Sequence, residues 1–198
     1  MADCWSCGAE RGDDPLCSTC QRVQPPSPRR DDFAALGLPR RMDIDRAALD
    51  RAFRDRSKRL HPDRFPREDR EQRRFALAQT ERVNQAYKRL RDPRGRGEHL
   101  LELECGVPVA GETERTEDPA FLMAMLEQQE RLEAMTDLDE VEAVRAATAT
   151  RRDALLEQVR AYFDDGQGTA DDARAALAEG RYVARMMEQV KRKLQELD

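Results

Sequence analysis

From residue 31 to the C-terminus, apolar residues recur at helical spacing, and beyond residue 28 no stretch alternates with the period of two that a half-buried strand requires. Leu49, Ala52, Phe53, Arg56 and Leu60 keep 3.6-residue spacing after Asp43-Ile44-Asp45, and Pro62 ends the run. Asp31-Asp32 suit the start of an earlier helical stretch. A third helix is predicted from Asp69 to Leu90, with Phe75, Leu77, Ala78, Val83, Ala86, Tyr87 and Leu90 as its apolar positions, broken at Asp92-Pro93. A short helix over Gly97 to Leu103 stops at Gly106-Val107-Pro108. Residues 106–117 are polar and loop-like, and three helices follow, at about 118–135, 137–164 and 170–197. Asp118-Pro119 offers a cap followed by proline at the first helical position, and Asp164-Asp165-Gly166-Gln167-Gly168 reads as the last turn. The fold class is all-α beyond a small N-terminal knuckle.

Composition supports long amphipathic helices over a lean core, with 38% charged and only 5% aromatic residues in a chain of 198. No apolar run is long enough to span a membrane, and Met1-Ala2-Asp3-Cys4-Trp5 lacks the features of a secretory signal. The expected compartment is the cytoplasm, with no membrane partner. Charge is uneven: residues 1–28 carry net −2, residues 29–111 net +6 and residues 112–198 net −9. Such a split suggests two surfaces facing differently charged partners.

Cys4-x-x-Cys7 and Cys17-x-x-Cys20 are separated by nine residues. Two such turns supply four thiolates to one tetrahedral ion, for which structural Zn²⁺ is the expected occupant and iron the rarer one. About twenty residues cannot bury a core, so metal binding would supply most of the folding free energy there. Unconnected cysteines or disulfides compete with this reading, as does a zinc ribbon that binds nucleic acid. Arg11 and Arg22 against four acids make phosphate contacts a poor fit, so no nucleic-acid partner is expected. Pro25-Pro26-Ser27-Pro28 closes the unit as a stiff linker. His99 and the unpaired Cys105 read as packing residues. With two separated histidines, no phosphate loop and no nucleophile–base pair, no enzyme is expected.

A basic face of Arg51, Arg54, Arg56, Lys58 and Arg59 precedes His61-Pro62-Asp63, and Asn84-Gln85-Ala86-Tyr87 lies in the helix after it. With these residues, the segment from about 31 to 104 resembles a J-domain, in which two antiparallel helices present the HPD loop. The resemblance implies that Asp63 and the basic face, with Arg54, Lys58 and Arg59, dock on a DnaK-type ATPase domain. It implies too that Pro62 stiffens the loop, and that His61 and Asp63 bias the partner toward hydrolysis. The position before HPD, often Tyr in J-domains, is Leu60.

On the helix from 118, Phe121, Met125, Leu132 and Met135 form one core stripe, while Leu122, Leu126 and Met123 lie about 100–200° away, beside Glu130 and Glu127. A second apolar face is either buried on its other side or a binding site. Asp118-Pro-Ala-Phe-Leu-Met-Ala-Met-Leu-Glu-Gln-Gln-Glu-Arg-Leu-Glu133 and Arg91-Asp-Pro-Arg-Gly-Arg-Gly-Glu-His-Leu-Leu101 resemble segments of the HscB family, specialised J-proteins of iron–sulfur cluster assembly. The resemblance implies an HscA- or DnaK-type chaperone partner and an IscU-type scaffold bound by Leu122, Met123, Leu126, Glu127, Glu130 and Tyr182. The family's further acidic position falls on Ala134, next to Glu133. Cys-Trp-x-Cys-Gly at the start resembles the form with a tetracysteine extension. The expected organisation is a knuckle with linker over 1–28, a J-domain over 29–105, a linker over 106–117 and a three-helix scaffold-binding domain over 118–198. A general J-protein with another client and a zinc-dependent nucleic-acid-binding regulator are the alternatives.

Overall fold

The computed structural model describes residues 3–10, 12, 14–28, 30–65, 69–106 and 119–197, with side chains from residue 123 onward in the last stretch. Most of the expected 106–117 linker, the Asp118 cap and the side chains of Phe121 and Leu122 lie outside the described residues. The chain divides into two compact units, Met1–Arg96 and Gly97–Asp198. Among the described residues, seven α-helices and one 3₁₀ turn carry the regular structure, with two isolated β-bridges in the knuckle. No helix of the described residues is long and apolar enough to cross a membrane.

In the first unit, each helix starts on an aspartate whose side chain accepts orphan backbone N–H groups, the best-suited chemistry for that position. Asp31 caps α1 (Asp32–Leu36), Asp45 caps α2 (Arg46–Leu60), and Asp69 caps α3 (Arg70–Arg91). Gly37 ends α1 in the left-handed region at φ 73°, where a Cβ would also lie 2.9 Å from the Arg56 guanidinium. Contacts pair the end of α2 with the middle of α3, and Phe53 and Asp50 with Tyr87, so the two helices run antiparallel. Phe33, Leu36, Leu49, Leu60, Ala76, Val83, Ala86 and Leu90 fill the space between α1, α2 and α3. Arg82 on α3 reaches the Asp32 carboxylate and the Arg30 carbonyl, fastening α1.

Asp92 both ends α3 and accepts from the N–H groups of Arg94 and Gly95, so α4 (Pro93–Cys105) starts at once, with Pro93 at its first position. The helix expected at Gly97 therefore begins a turn earlier, because the proline that stops one helix opens the next. Arg96 is buried and donates to the carbonyls of Leu90 and Met42.

In the second unit, α5 (Pro119–Ala134) precedes two 28-residue helices, α6 (Leu138–Asp165) and α7 (Ala170–Leu197), which pack along each other. Asp137 caps α6, and Gly166 closes it in the left-handed region. Thr169 and Asp172 exchange hydrogen bonds in a capping box at the start of α7. Leu132, Val141, Met186 and Val190 form a core cluster, joined by Met135, Val144, Leu194 and Leu197.

Residue polarity misplaces three positions on α3. Leu77 is 62% exposed rather than core, while Gln72 and Gln79 on α3 are buried. Cys105 is exposed in the last turn of α4, its sulfur 3.5 Å from Arg174, and not a small buried apolar residue. Leu77→Ala is therefore expected to change stability by less than about 0.5 kcal/mol, whereas Leu90→Ala should cost about 2–5 kcal/mol, read from urea midpoints.

Candidate functional site

Backbone hydrogen bonds close each CxxC turn: Cys4 N–H donates to Ala9, Gly8 N–H to Cys4, Cys17 N–H to Arg22 and Gln21 N–H to Cys17. These turns bring the four sulfurs of Cys4, Cys7, Cys17 and Cys20 within 4.8 Å of one another. The Cys4–Cys20 and Cys7–Cys17 separations are 3.7 and 3.8 Å. A tetrahedron of thiolates about 2.3 Å from one ion has edges of about 3.8 Å, so spacing and donor chemistry both fit a single closed metal site. Burial opposes ionisation of Cys4, but the N–H groups of Cys7 and Ser6 outweigh it and hold its pKa near 6. At Cys7 the Ala9 N–H favours the thiolate, yet burial and the neighbouring sulfurs push it up to about 12. Four thiols this close share protons rather than all ionising, and a divalent cation removes that restriction.

The knuckle is seated on α3. Trp5 meets Phe75 edge to face at 5.4 Å, and its indole N–H donates to the Val23 carbonyl at 2.7 Å. Arg22 pairs with Asp69 at 2.7 Å and lies over the Trp5 ring. Val23 N–H donates to Gln72, while Gln79 donates to the Gln24 carbonyl at 2.8 Å. Buried Gln24 in turn donates to the Cys4 sulfur at 3.2 Å, so a polar chain runs from the metal site to α3. Residue polarity hid this seam, because Gln72 and Gln79 read as surface residues; their place on the helical stripe of Val83 and Leu90 was the available signal.

His61, Pro62 and Asp63 stand at the turn between α2 and α3. Extended backbone at His61 (ψ 128°) suits a residue before proline. Pro62 opens a 3₁₀ turn, and His61 Nδ1 accepts from the Asp63 N–H at 3.3 Å. Two carbonyls at the end of α2 find donors, Lys58 from the Arg64 guanidinium and Leu60 from the Thr80 hydroxyl. The turn is thus tied down while the Asp63 side chain stays 81% exposed. Arg51, Arg54, Lys58 and Arg59 are exposed on α2, and Arg56 is half-buried.

On α5, Met123 and Leu126 are 57% and 56% exposed, with Glu127 and Glu130 exposed beside them, whereas Leu132 is buried. Leu122 lies in the helix, its side chain outside the described residues. Tyr182 on α7 is half-buried and borders an apolar groove of about 420 Å³ between α5, α6 and α7, together with Met125, Gln128 and Met135. Met123 and Leu126 are not among the groove's walls. His99 is buried, its Nδ1 3.3 Å from Glu102.

An antiparallel hairpin with a restrained, exposed HPD turn, joined to a helical bundle, defines a J-type co-chaperone. Residues 117–191 match the family described as the HSCB C-terminal oligomerisation domain. The iron–sulfur cluster co-chaperone protein HscB of Mus musculus is 30% identical over 192 residues, covering 95% of this chain and 81% of its own length. A co-chaperone protein HscB homolog of Burkholderia mallei is 37% identical over 165 residues, 81% of this chain and 94% of its own. The crystal structure of human HscB superposes with a TM-score of 0.84 at 26% identity, covering 97% of this chain and 98% of that one. The chain belongs to the HscB co-chaperone family, in a form that carries a tetracysteine knuckle.

Trp5 is the sole tryptophan and lies within the knuckle. Stripping the metal with a chelator is expected to red-shift its emission while far-UV circular dichroism keeps its helical form. Because the ligands must lose protons to bind, metal affinity should fall as pH drops, and acidification should produce the same red shift. Emission unchanged after verified metal loss would show that the ion does not hold the knuckle on α3.

Proposed function

We propose that this chain stimulates the ATPase of an HscA- or DnaK-type chaperone through His61-Pro62-Asp63 and delivers an IscU-type iron–sulfur scaffold to it. The observation that carries the reading is the exposed Asp63, held on a tied-down turn at the end of the basic face of α2. A carboxylate and a row of guanidinium and ammonium groups on one rigid hairpin suit electrostatic docking, which sets encounter rate and orientation more than raw affinity. Arg54, Lys58 and Arg59 supply that row. His61 and Pro62 hold the turn, and the hydrolysis belongs to the partner, so the chain is a regulator and not an enzyme.

For the scaffold, Met123 and Leu126 provide an exposed, adaptable apolar patch, with Glu127 and Glu130 as its acidic border and Leu122 as a further member. Tyr182 joins through an adjoining groove, so it extends the contact rather than sitting at the centre of the patch. The domain roles follow as knuckle and linker over 1–28, J-domain over 29–105, linker over 106–117 and scaffold-binding domain over 118–198. Zn²⁺ is the assigned ion of the Cys4–Cys7–Cys17–Cys20 site, with a structural role, and the cytoplasm the assigned compartment. The nucleic-acid reading loses support because Arg22 is engaged by Asp69 and Trp5.

The partner's steady-state ATPase rate, measured with and without scaffold, tests the proposal. Synergy between this chain and the scaffold is expected, and stimulation without synergy would instead favour a general J-protein with another client. Asp63→Asn should abolish stimulation; undiminished stimulation would remove the HPD turn from the mechanism. Replacing Leu122, Met123 and Leu126 together by Ala should weaken scaffold binding by about 1–3 kcal/mol in calorimetry, with helix content unchanged.

A further inference from the structure

The loop between the two CxxC turns carries Asp14, whose carboxylate crosses to α2. It accepts from Arg56 at 3.2 Å and from Arg59 at 3.1 Å, while the same side chain accepts the Leu16 N–H at 2.9 Å. Partial burial works against the charged carboxylate, but the Leu16 N–H and the two guanidinium groups outweigh it and hold its pKa below the usual range. The two arginines differ in setting. Arg56 has a side chain only 15% exposed, wedged beside Gly37, whereas Arg59 is 44% exposed. Arg56 therefore acts as a post that holds the loop, and Arg59 is the cation that both the knuckle and an incoming partner can reach.

We propose that Asp14 is an internal competitor for the chaperone's acidic docking groups: the knuckle engages Arg59 and so sets how strongly the basic face of α2 binds the ATPase partner. This rests on the reading that α2 docks on that partner. Asp14 sits between Cys7 and Cys17, so the contact depends on the fold of the four-cysteine loop, and the knuckle becomes a regulator of docking rather than an inert staple. An ion pair this exposed is weak, with a ceiling of roughly fivefold in an equilibrium constant. A partner can therefore displace it, and the contact tunes docking without blocking it.

The test is a double-mutant cycle in the full chain, reading the concentration that gives half-maximal stimulation of a purified DnaK-type ATPase at low and moderate salt. Asp14→Asn keeps an oxygen for the Leu16 N–H and removes the charge. It should lower the half-maximal concentration about twofold to fivefold at low salt, and less as salt screens the pair. Asp14→Glu should restore the parental value. In the Arg59→Gln background, Asp14→Asn should have no effect, an outcome that a general loosening of the knuckle would not give. The same shift with and without Arg59, or no shift at all while Asp63→Asn abolishes stimulation, overturns the competition and leaves the J-domain reading standing. Full stimulation by Asp63→Asn would instead overturn that reading itself.

Discussion

α3 is buried along one stripe that meets two different partners, and the rest of the first unit depends on that. Along it, Ala76, Val83, Ala86 and Leu90 supply the ordinary apolar contacts of a core helix. On the same stripe, Gln72 and Gln79, with Phe75 beside them, receive a knuckle too small to bury a core of its own. Burying two glutamines is tolerable only because each meets a backbone partner; an unpaired buried amide would cost about 1–3 kcal/mol. The same two bonds place Gln24 against the Cys4 sulfur. Metal site, knuckle and hairpin are thus parts of one packed object.

Charge is used differently in different places. Buried Arg96 satisfies carbonyls of Leu90 and Met42, where losing the donors would strand backbone acceptors. Arg82 fastens α1 through Asp32 at a half-buried position. The cations of α2 around Arg54, Lys58 and Arg59 are exposed, so they add little to folding stability and remain available for recognition. Among the described residues, the knuckle reaches toward that face through Asp14, a contact correspondingly small in energy and well suited to adjustment.

The second unit is built around the long α6–α7 pair, whose buried Val141, Leu155, Val159, Leu177, Met186 and Val190 line the seam. Among the described side chains, α5 contributes Leu132 as its fully buried residue and leaves an apolar groove beside Met125 and Tyr182. Met123 and Leu126 on the same helix stay in water, which is the condition for recognising something else.

Local chemistry alone determined much of this protein. Aspartate caps, Pro62 and Gly166 mark helix ends because their preferences act within a few residues. The four-cysteine donor set is legible because ligand spacing is a short-range property, and a second apolar face at Met123 and Leu126 is legible from helical angle, whereas its exposure is a tertiary outcome. Polarity misled where a distant surface intervened: Leu77 is apolar yet exposed off the buried stripe, and Gln72 and Gln79 are polar yet buried on it. Only tertiary structure decided those, together with the seat of Trp5 on Phe75 and the pairing of Asp14 with Arg56 and Arg59. Those contacts join residues more than forty positions apart, and no local preference encodes a partner that only folding brings near.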